Sequence, residues 1–254
     1  MKKILLKKEY VYLGNLILVN RKHPLQEKIK SYNLQPFNEV YTNILLDYNA
    51  NLELYKVLNK INSKNNIVPV SGYRSLEEQE ELYRNSIKEN GEEFTKKYVA
   101  YPNCSEHQTG LAIDLGLAQE NIDYIRPSFP YNGICEAFRE KSVDYGFIER
   151  YKKEKENITH ISSEEWHFRY VGYPHSKIMS EMNFCLEEYI DYLRRFKLGQ
   201  NTLLFKEYEI NFVEMNEDMK EISIEDNEIL TVSGNNVDGV IITKISNLNQ
   251  RKEK

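Results

Sequence analysis

The chain has 254 residues and a mass of 30.1 kDa, room for one moderate domain with an appendage or for two small ones. Hydrophobic residues at 41% and charged residues at 29% are the balance of a globular chain that buries a sizeable core. The net charge of −5 comes without any basic block carrying interleaved aromatics, which excludes nucleic acid as a partner class.

Met1-Lys2-Lys3-Ile4-Leu5-Leu6 opens like a secretory leader, but Lys7, Lys8 and Glu9 end its apolar run well short of the roughly 7–15 residues an export signal needs. Leu16-Ile17-Leu18-Val19 is too short to span a bilayer, so no membrane partner is expected. Three cysteines, Cys104, Cys135 and Cys185, cannot all pair internally, and free thiols suit a reducing compartment. The expected location is the cytoplasm.

Tyr10 to Asn20 mixes aromatic and β-branched residues and reads as a strand. Tyr41 to Ile61 reads as a helix, with Leu54, Tyr55, Leu58 and Ile61 at three- and four-residue spacing. Ile67-Val68-Pro69-Val70 is a short strand turned by Ser71-Gly72. Ser75 and Glu78 form a capping-box pattern for the next helix, Leu82, Tyr83 and Ile87 supply its apolar face, and Gly91 ends it. Between 111 and 117 the residues alternate: Leu111, Ile113, Leu115 and Leu117 share one face, and Asp114 stands among Gly110, Ala112 and Gly116 on the other. Ile134 to Tyr145 is helical in pattern and Phe147 to Tyr151 is a strand. Trp166, Phe168 and Tyr170 then share a strand face opposite His167 and Arg169, and Pro174 to Phe196 reads as one long helix with proline in its first turn. After Gly199 the texture becomes short β-like runs (Ile222–Ile224, Ile229–Val232, Val240–Thr243) separated by Asp226-Asn227 and by the turn-prone stretch 233–239. Residues 247–254 are polar and expected to fray. The expected fold is α+β: a small, mostly antiparallel sheet flanked by helices over residues 1–199, with a β-rich appendage over 200–254 that carries no histidine or cysteine.

Five histidines are present, and a lone histidine on a strand is more often structural than a ligand, which covers His23, His160 and His175. His107 and His167 have different company. Ser105 and His107 lead into the small-residue face that carries Asp114, while His167 follows Trp166, whose bulk can wall a pocket, and two glutamates. Two imidazoles and a carboxylate suit a zinc ion with an open fourth position, and an acid beside them suits metal-assisted hydrolysis. That acid is Glu164 or Glu165: strict alternation puts Glu165 on the face of His167, whereas Glu164 needs a bend. Arg74, between a turn and a helix start, suits a polarised carbonyl oxygen or a carboxylate, although a surface arginine near a cap is the commoner outcome. Cys104 and His107 have a zinc-like spacing, but without a second cysteine pair a structural finger is improbable.

Three segments together carry a resemblance. Ser71-Gly72-Tyr73-Arg74-Ser75 with Gln79, Ser105-Glu106-His107-Gln108-Thr109-Gly110-Leu111-Ala112-Ile113-Asp114, and Glu164-Glu165-Trp166-His167-Phe168-Arg169-Tyr170-Val171-Gly172 resemble, in order, the motifs of the zinc D,D-peptidases of the VanX, VanY and VanXY types. The resemblance runs from Tyr10 to Leu198. It implies that His107, Asp114 and His167 bind zinc, that Glu164 is the base, that Arg74 stabilises the scissile carbonyl, and that Ser105 and Gln79 contact substrate. Glu165 departs from a position where proline is frequent in the VanY type. The implied substrates are D-Ala-D-Ala dipeptide and the nucleotide-linked pentapeptide precursor, with glycopeptide (vancomycin) resistance as the consequence. Two competing expectations are an endolysin-like L-Ala-D-Glu endopeptidase and a non-catalytic zinc module that binds peptide.

Overall fold

A computed structural model of the chain describes residues 2–26, 33–224 and 229–245. The expected frayed end at 247–254 and the Asp226-Asn227 separator lie outside the described residues. Contacts divide the chain into two compact units, Val19–Cys185 and a second made from Met1–Leu18 together with Leu186–Lys254. This division differs from one at residue 199, because β1 (Lys2–Lys7) pairs along its whole length with a strand near the other end of the chain.

The larger unit opens with β2 (Leu34–Pro36) and β3 (Leu45–Asp47), an antiparallel pair. Helix α1 (Tyr48–Lys60) follows at once, capped by Asp47, whose side chain accepts the N–H groups of Asn49 and Ala50. The expected helix from Tyr41 is thus corrected: residues 45–47 are taken by strand pairing, and the cap fixes the start. Strand β4 (Ile67–Ser71) precedes α2 (Leu76–Asn90), where Ser75 and Glu78 form both halves of the capping box and Gly91, at φ +81°, ends the helix. The residues α2 buries are Gln79 and Ser86, not the apolar trio expected. Its inner face is polar because Gln79 serves the site described below and Ser86 bonds Thr95 of α3 (Glu92–Tyr98) at 2.8 Å.

The unit continues with β5 (Ala112–Leu117), α4 (Gly133–Ser142), β6 (Phe147–Tyr151), α5 (Glu156–Thr159), β7 (Glu164–Tyr170) and α6 (His175–Met182). Four strands form one antiparallel sheet in the order β4-β5-β7-β6. Its apolar face carries Ile113, Leu115, Trp166 and Phe168 into a core closed by Leu54 and Val57 of α1 and Phe138 of α4. Phe168 meets Phe129 and Phe138 edge-on at ring distances of 5.3 and 4.8 Å, the favoured aromatic geometry. The alternation expected in both strands holds: with apolar side chains committed to this core, Asp114, His167 and Arg169 share the other face.

The long helix expected from Pro174 to Phe196 is two helices. Asn183, left-handed at φ +49°, closes α6 by bonding back to Met179 and Ser180, and α7 (Leu186–Leu193) starts where the second unit resumes.

In that unit, β8 (Leu203–Phe205), β9 (Tyr208–Glu214), β11 (Ile229–Gly234) and β12 (Gly239–Ile245) form an antiparallel sheet in the order β11-β12-β9-β8. β10 (Met219–Ile224) pairs instead with β1. The strand expected over Tyr10–Asn20 does not form. Lys8–Tyr12 coil into a 3-10 turn, and the following residues are fixed by loop bonds, Leu16 N–H to Ser233 Oγ at 2.8 Å and Leu18 N–H to the Asn235 carbonyl at 3.1 Å. Gly14 sits at φ +104°, a conformation that breaks the extended run, and a Cβ there would stand 2.5 Å from Ser233 Oγ. Among the described residues, no helix is long and apolar enough to cross a membrane.

Candidate metal centre and catalytic cleft

Sheet register builds the site. Asp114 on β5 pairs directly with His167 on β7, and Ser71 of β4 pairs with Asp114 from the other side. Cross-strand partners project to the same face, so the carboxylate and the imidazole meet without any loop bringing them together. His107 comes from a 3-10 turn, Glu106–Thr109, just ahead of β5. That turn is locked to the segment after β4 twice: the Arg74 N–H donates to the His107 carbonyl at 3.2 Å, and His107 Nδ1 donates to the Gly72 carbonyl at 2.7 Å. Gly72 allows this approach because a Cβ on it would stand 2.3 Å from the Leu45 carbonyl oxygen.

The three side chains converge. One ligand atom from each of His107, Asp114 and His167 lies within 4.8 Å of the others, and all three residues are buried. His107 Nε2 is 3.2 Å from Asp114 Oδ2, and His167 Nδ1 is 2.9 Å from Asp114 Oδ1. With Nδ1 of His107 engaged at Gly72, its Nε2 presents a lone pair to a carboxylate oxygen. Two acceptors face each other there, an arrangement that a cation relieves. Each imidazole also has its other nitrogen bonded to an oxygen, the usual outer support of metal-binding histidines. Two imidazoles and a carboxylate make a donor set that fits zinc.

Glu164 reaches this group through an irregularity. Glu149 pairs with Phe168 but Tyr151 pairs with Glu164, so two residues of β6 span four of β7. The slip resets the alternation and carries Glu164 to the face of His167, with Oε2 3.8 Å from Nδ1. Glu165 is half-buried, and its backbone carbonyl accepts from Arg139 Nη2 at 2.8 Å. The bend, not strict alternation, determines which glutamate faces the cleft.

Arg74 is fixed by three contacts: Nε to Ser71 Oγ at 3.0 Å, Nη1 to Gln79 Oε1 at 3.1 Å and Nη2 to Asp114 Oδ2 at 3.3 Å. A guanidinium has five N–H groups, so these leave two for another acceptor. Gln79 stands behind Arg74 with its amide nitrogen on the Ala100 carbonyl at 2.8 Å. Arg74, Ser105, His107, Asp114, Glu164 and His167 line one cleft. Gln79 is not on its wall, whereas Trp166, Tyr124 and Tyr151 are.

The sequence reading passed over Glu106, Arg150 and Tyr151. Glu106 is fully buried, with Oε1 2.8 Å from Arg150 Nε and 2.9 Å from Arg169 Nη1, while Oε2 lies 3.4 Å from His167 Nε2. The Tyr151 ring lies 4.9 Å from the His167 ring. The available signal was an acid adjoining His107 together with arginines in otherwise apolar strands.

Burial governs the electrostatics. It pushes the Glu164 carboxyl up to about 8, with Asp114 adding to the effect and His167 opposing it. Burial opposes charge on His167 as well, but its bonds to Asp114 and Glu106 outweigh that and push it up to about 9. Burial and the neighbouring Arg74 lower His107. Asp114 is held well below the usual carboxylate range, against its burial, by the two imidazoles, and Glu106 likewise by Arg150 and Arg169.

A sequence model of the VanY family, described as D-alanyl-D-alanine carboxypeptidase, matches residues 43–173. The chain belongs to this family. Its wider type is the VanX, VanY and VanXY group of D,D-peptidases, which are hydrolases. It is 41% identical over 184 residues to the bifunctional D-Ala-D-Ala dipeptidase and D-Ala-D-Ala carboxypeptidase VanXYC of Enterococcus gallinarum, covering 71% of this chain and 96% of that one. The crystal structure of the vancomycin resistance D,D-dipeptidase VanXYg in complex with a D-Ala-D-Ala phosphinate analog superposes with a TM-score of 0.93 at 51% identity, over 96% of this chain and 98% of the other. A vancomycin resistance D,D-pentapeptidase VanY from a VanB-type cassette, in complex with Zn(II), superposes with a TM-score of 0.57 at 28% identity, over 69% and 98%.

Proposed function

We propose that this chain is a zinc-dependent D,D-peptidase of the cytoplasm. It hydrolyses free D-Ala-D-Ala and removes the terminal D-Ala of nucleotide-linked pentapeptide precursors, and so depletes the target of vancomycin. The observation that carries this reading is the meeting of two imidazoles, a carboxylate, a buried glutamate and a fixed arginine on the wall of one cleft. The similarity to a bifunctional relative supports both substrates, and the Zn(II) complex of a family member supports the metal.

His107, Asp114 and His167 would hold the zinc ion, which when bound supplies Lewis acidity to polarise a carbonyl and to acidify water. Glu164 accepts a proton from the attacking water as the carbon–oxygen bond forms, then gives it to the departing amine as the carbon–nitrogen bond breaks. Arg74 directs its remaining N–H groups to the oxygen that gains charge, and Ser71 and Gln79 keep its planar fork oriented. Ser105 offers a hydroxyl to the peptide, whereas Gln79 acts on substrate through Arg74.

The test is D-Ala release from dipeptide and from pentapeptide precursor, each with and without a zinc chelator. Release from both that stops with chelator is expected. Release that persists in chelator, or cleavage of intact peptidoglycan at L-Ala-D-Glu with neither substrate consumed, would overturn the reading.

A further inference from the structure

We propose that Glu106 is a positioning residue for the metal: anchored by Arg150 and Arg169, it accepts the Nε2–H of His167 and thereby commits Nδ1 of that ring to the ion. The inference rests on the zinc reading above. Its ground is the division of labour between the two oxygens of one buried carboxylate. Oε1 takes both guanidiniums, at 2.8 and 2.9 Å, and Oε2 is left to the imidazole at 3.4 Å.

The His167 ring therefore has a carboxylate at each nitrogen, Asp114 at Nδ1 and Glu106 at Nε2. The two carboxylates differ. Asp114 shares its oxygens with His107 and Arg74 inside the cleft, while Glu106 is already satisfied by two cations and shielded from solvent at 0% side-chain exposure. A proton on Nε2 gives the second oxygen of Glu106 a donor, and it directs the Nδ1 lone pair toward Asp114 and the cleft. The Tyr151 ring, 4.9 Å away and tilted by 38°, lies against the same imidazole.

A structural role alone accounts poorly for the cluster. A buried Arg–Glu–Arg group contributes little net stability compared with apolar side chains of similar volume, since desolvation offsets the attraction. Its position against a candidate ligand is the feature that needs a cause. Glu106 also adjoins His107, so one 3-10 turn supplies a ligand and the support of a second ligand from β7. Outer partners of metal-binding histidines typically change metal affinity by about 10–100-fold when lost.

The test uses the full chain, labelled with ¹⁵N-histidine and loaded with zinc. Long-range ¹H–¹⁵N correlation should find the proton of His167 on Nε2, with Nδ1 deprotonated and metal-bound; the opposite assignment would overturn the proposal. In parallel, zinc affinity is measured by competition with a chromogenic chelator. Glu106→Gln should bind zinc about 10–100-fold more weakly than wild type while its circular dichroism is unchanged. Because that variant leaves two buried arginines short of an anion, Glu106→Gln with Arg150→Gln is measured beside it, and the same weakening is expected. Wild-type affinity in either folded variant would defeat the proposal and leave the zinc reading intact. Failure of the wild-type protein to bind zinc, or full affinity in His167→Ala, would defeat both.

Discussion

Asp114 and His167 stand directly opposite each other on neighbouring antiparallel strands, with Oδ1 2.9 Å from Nδ1. Strand pairing, and not loop conformation, sets this distance, so the two groups are fixed as firmly as the sheet itself. A one-residue register slip would turn Ile113 and Phe168 out of the core, and that core holds the register. Asp114→Ala is therefore expected to keep the fold and lose the metal. Zinc content after dialysis, by atomic absorption, should fall toward zero while the far-ultraviolet spectrum is retained.

Glu164→Ala should lower turnover by about 10²–10⁴-fold, the range for a positioned general base, and leave zinc stoichiometry unchanged. Glu165→Ala should be nearly silent, because its side chain is half-buried off the cleft and its backbone carbonyl makes the bond to Arg139. Steady-state kinetics on the two variants checks this. A dead Glu165→Ala beside an active Glu164→Ala would reverse the assignment.

Arg74→Lys should not behave conservatively. A lysine cannot satisfy Ser71, Gln79 and Asp114 together and still present donors to substrate. Loss of one positioned charge donor costs about 10²–10³ in kcat. The expected pattern is a fall in kcat larger than any rise in KM, read from initial rates on the dipeptide.

Zinc binding should release protons. His167 is pushed up to about 9, so as a ligand it must give up its extra proton to bind the metal at neutral pH, and Glu164, pushed up to about 8, is driven to lose its proton by the positive charge of the ion beside it. The sign follows: apparent zinc affinity rises as pH increases toward 9 and flattens above it. Calorimetry at pH 7 in buffers of different ionisation enthalpy should find about one to two protons released per zinc. No release would mean that these groups are already deprotonated.

The α2 capping box offers a test of the scaffold. Ser75 Oγ accepts the Glu78 N–H at 3.1 Å, and Glu78 Oε2 accepts the Ser75 N–H at 2.7 Å. Ser75→Ala should cost about 1 kcal/mol in urea unfolding. Because Ser75 adjoins Arg74, a small loss of kcat should accompany it.

Much of this architecture was legible in residue order, for identifiable reasons. The alternation of Leu111, Ile113 and Leu115 against Asp114 fixed both the strand and the face of the carboxylate, since a period of two leaves no other solution with that core. The Ser75–Glu78 box is a local signal and was read locally. Less legible were features decided by partners far along the chain. Leu16 to Val19 look like a strand, yet they are buried, and the backbone of Leu16 and Leu18 is satisfied by the loop around Ser233 and Asn235. Glu164 could not be chosen over Glu165 by alternation, because the slip against β6 appears only when the two strands are paired. Glu106 was passed over because its partners, Arg150 and Arg169, come from two later strands.

The pairing of β1 with β10 has a consequence for biogenesis. Lys2 lies opposite Ile224, so β1 leaves the ribosome and must wait for a partner that emerges more than 200 residues later. At typical synthesis rates that delay is roughly 10–40 s. Through that interval a short, lysine-rich ribbon carries Leu6, a residue fully buried once folding is complete, and its positive charges serve as the natural deterrent to premature edge-to-edge association.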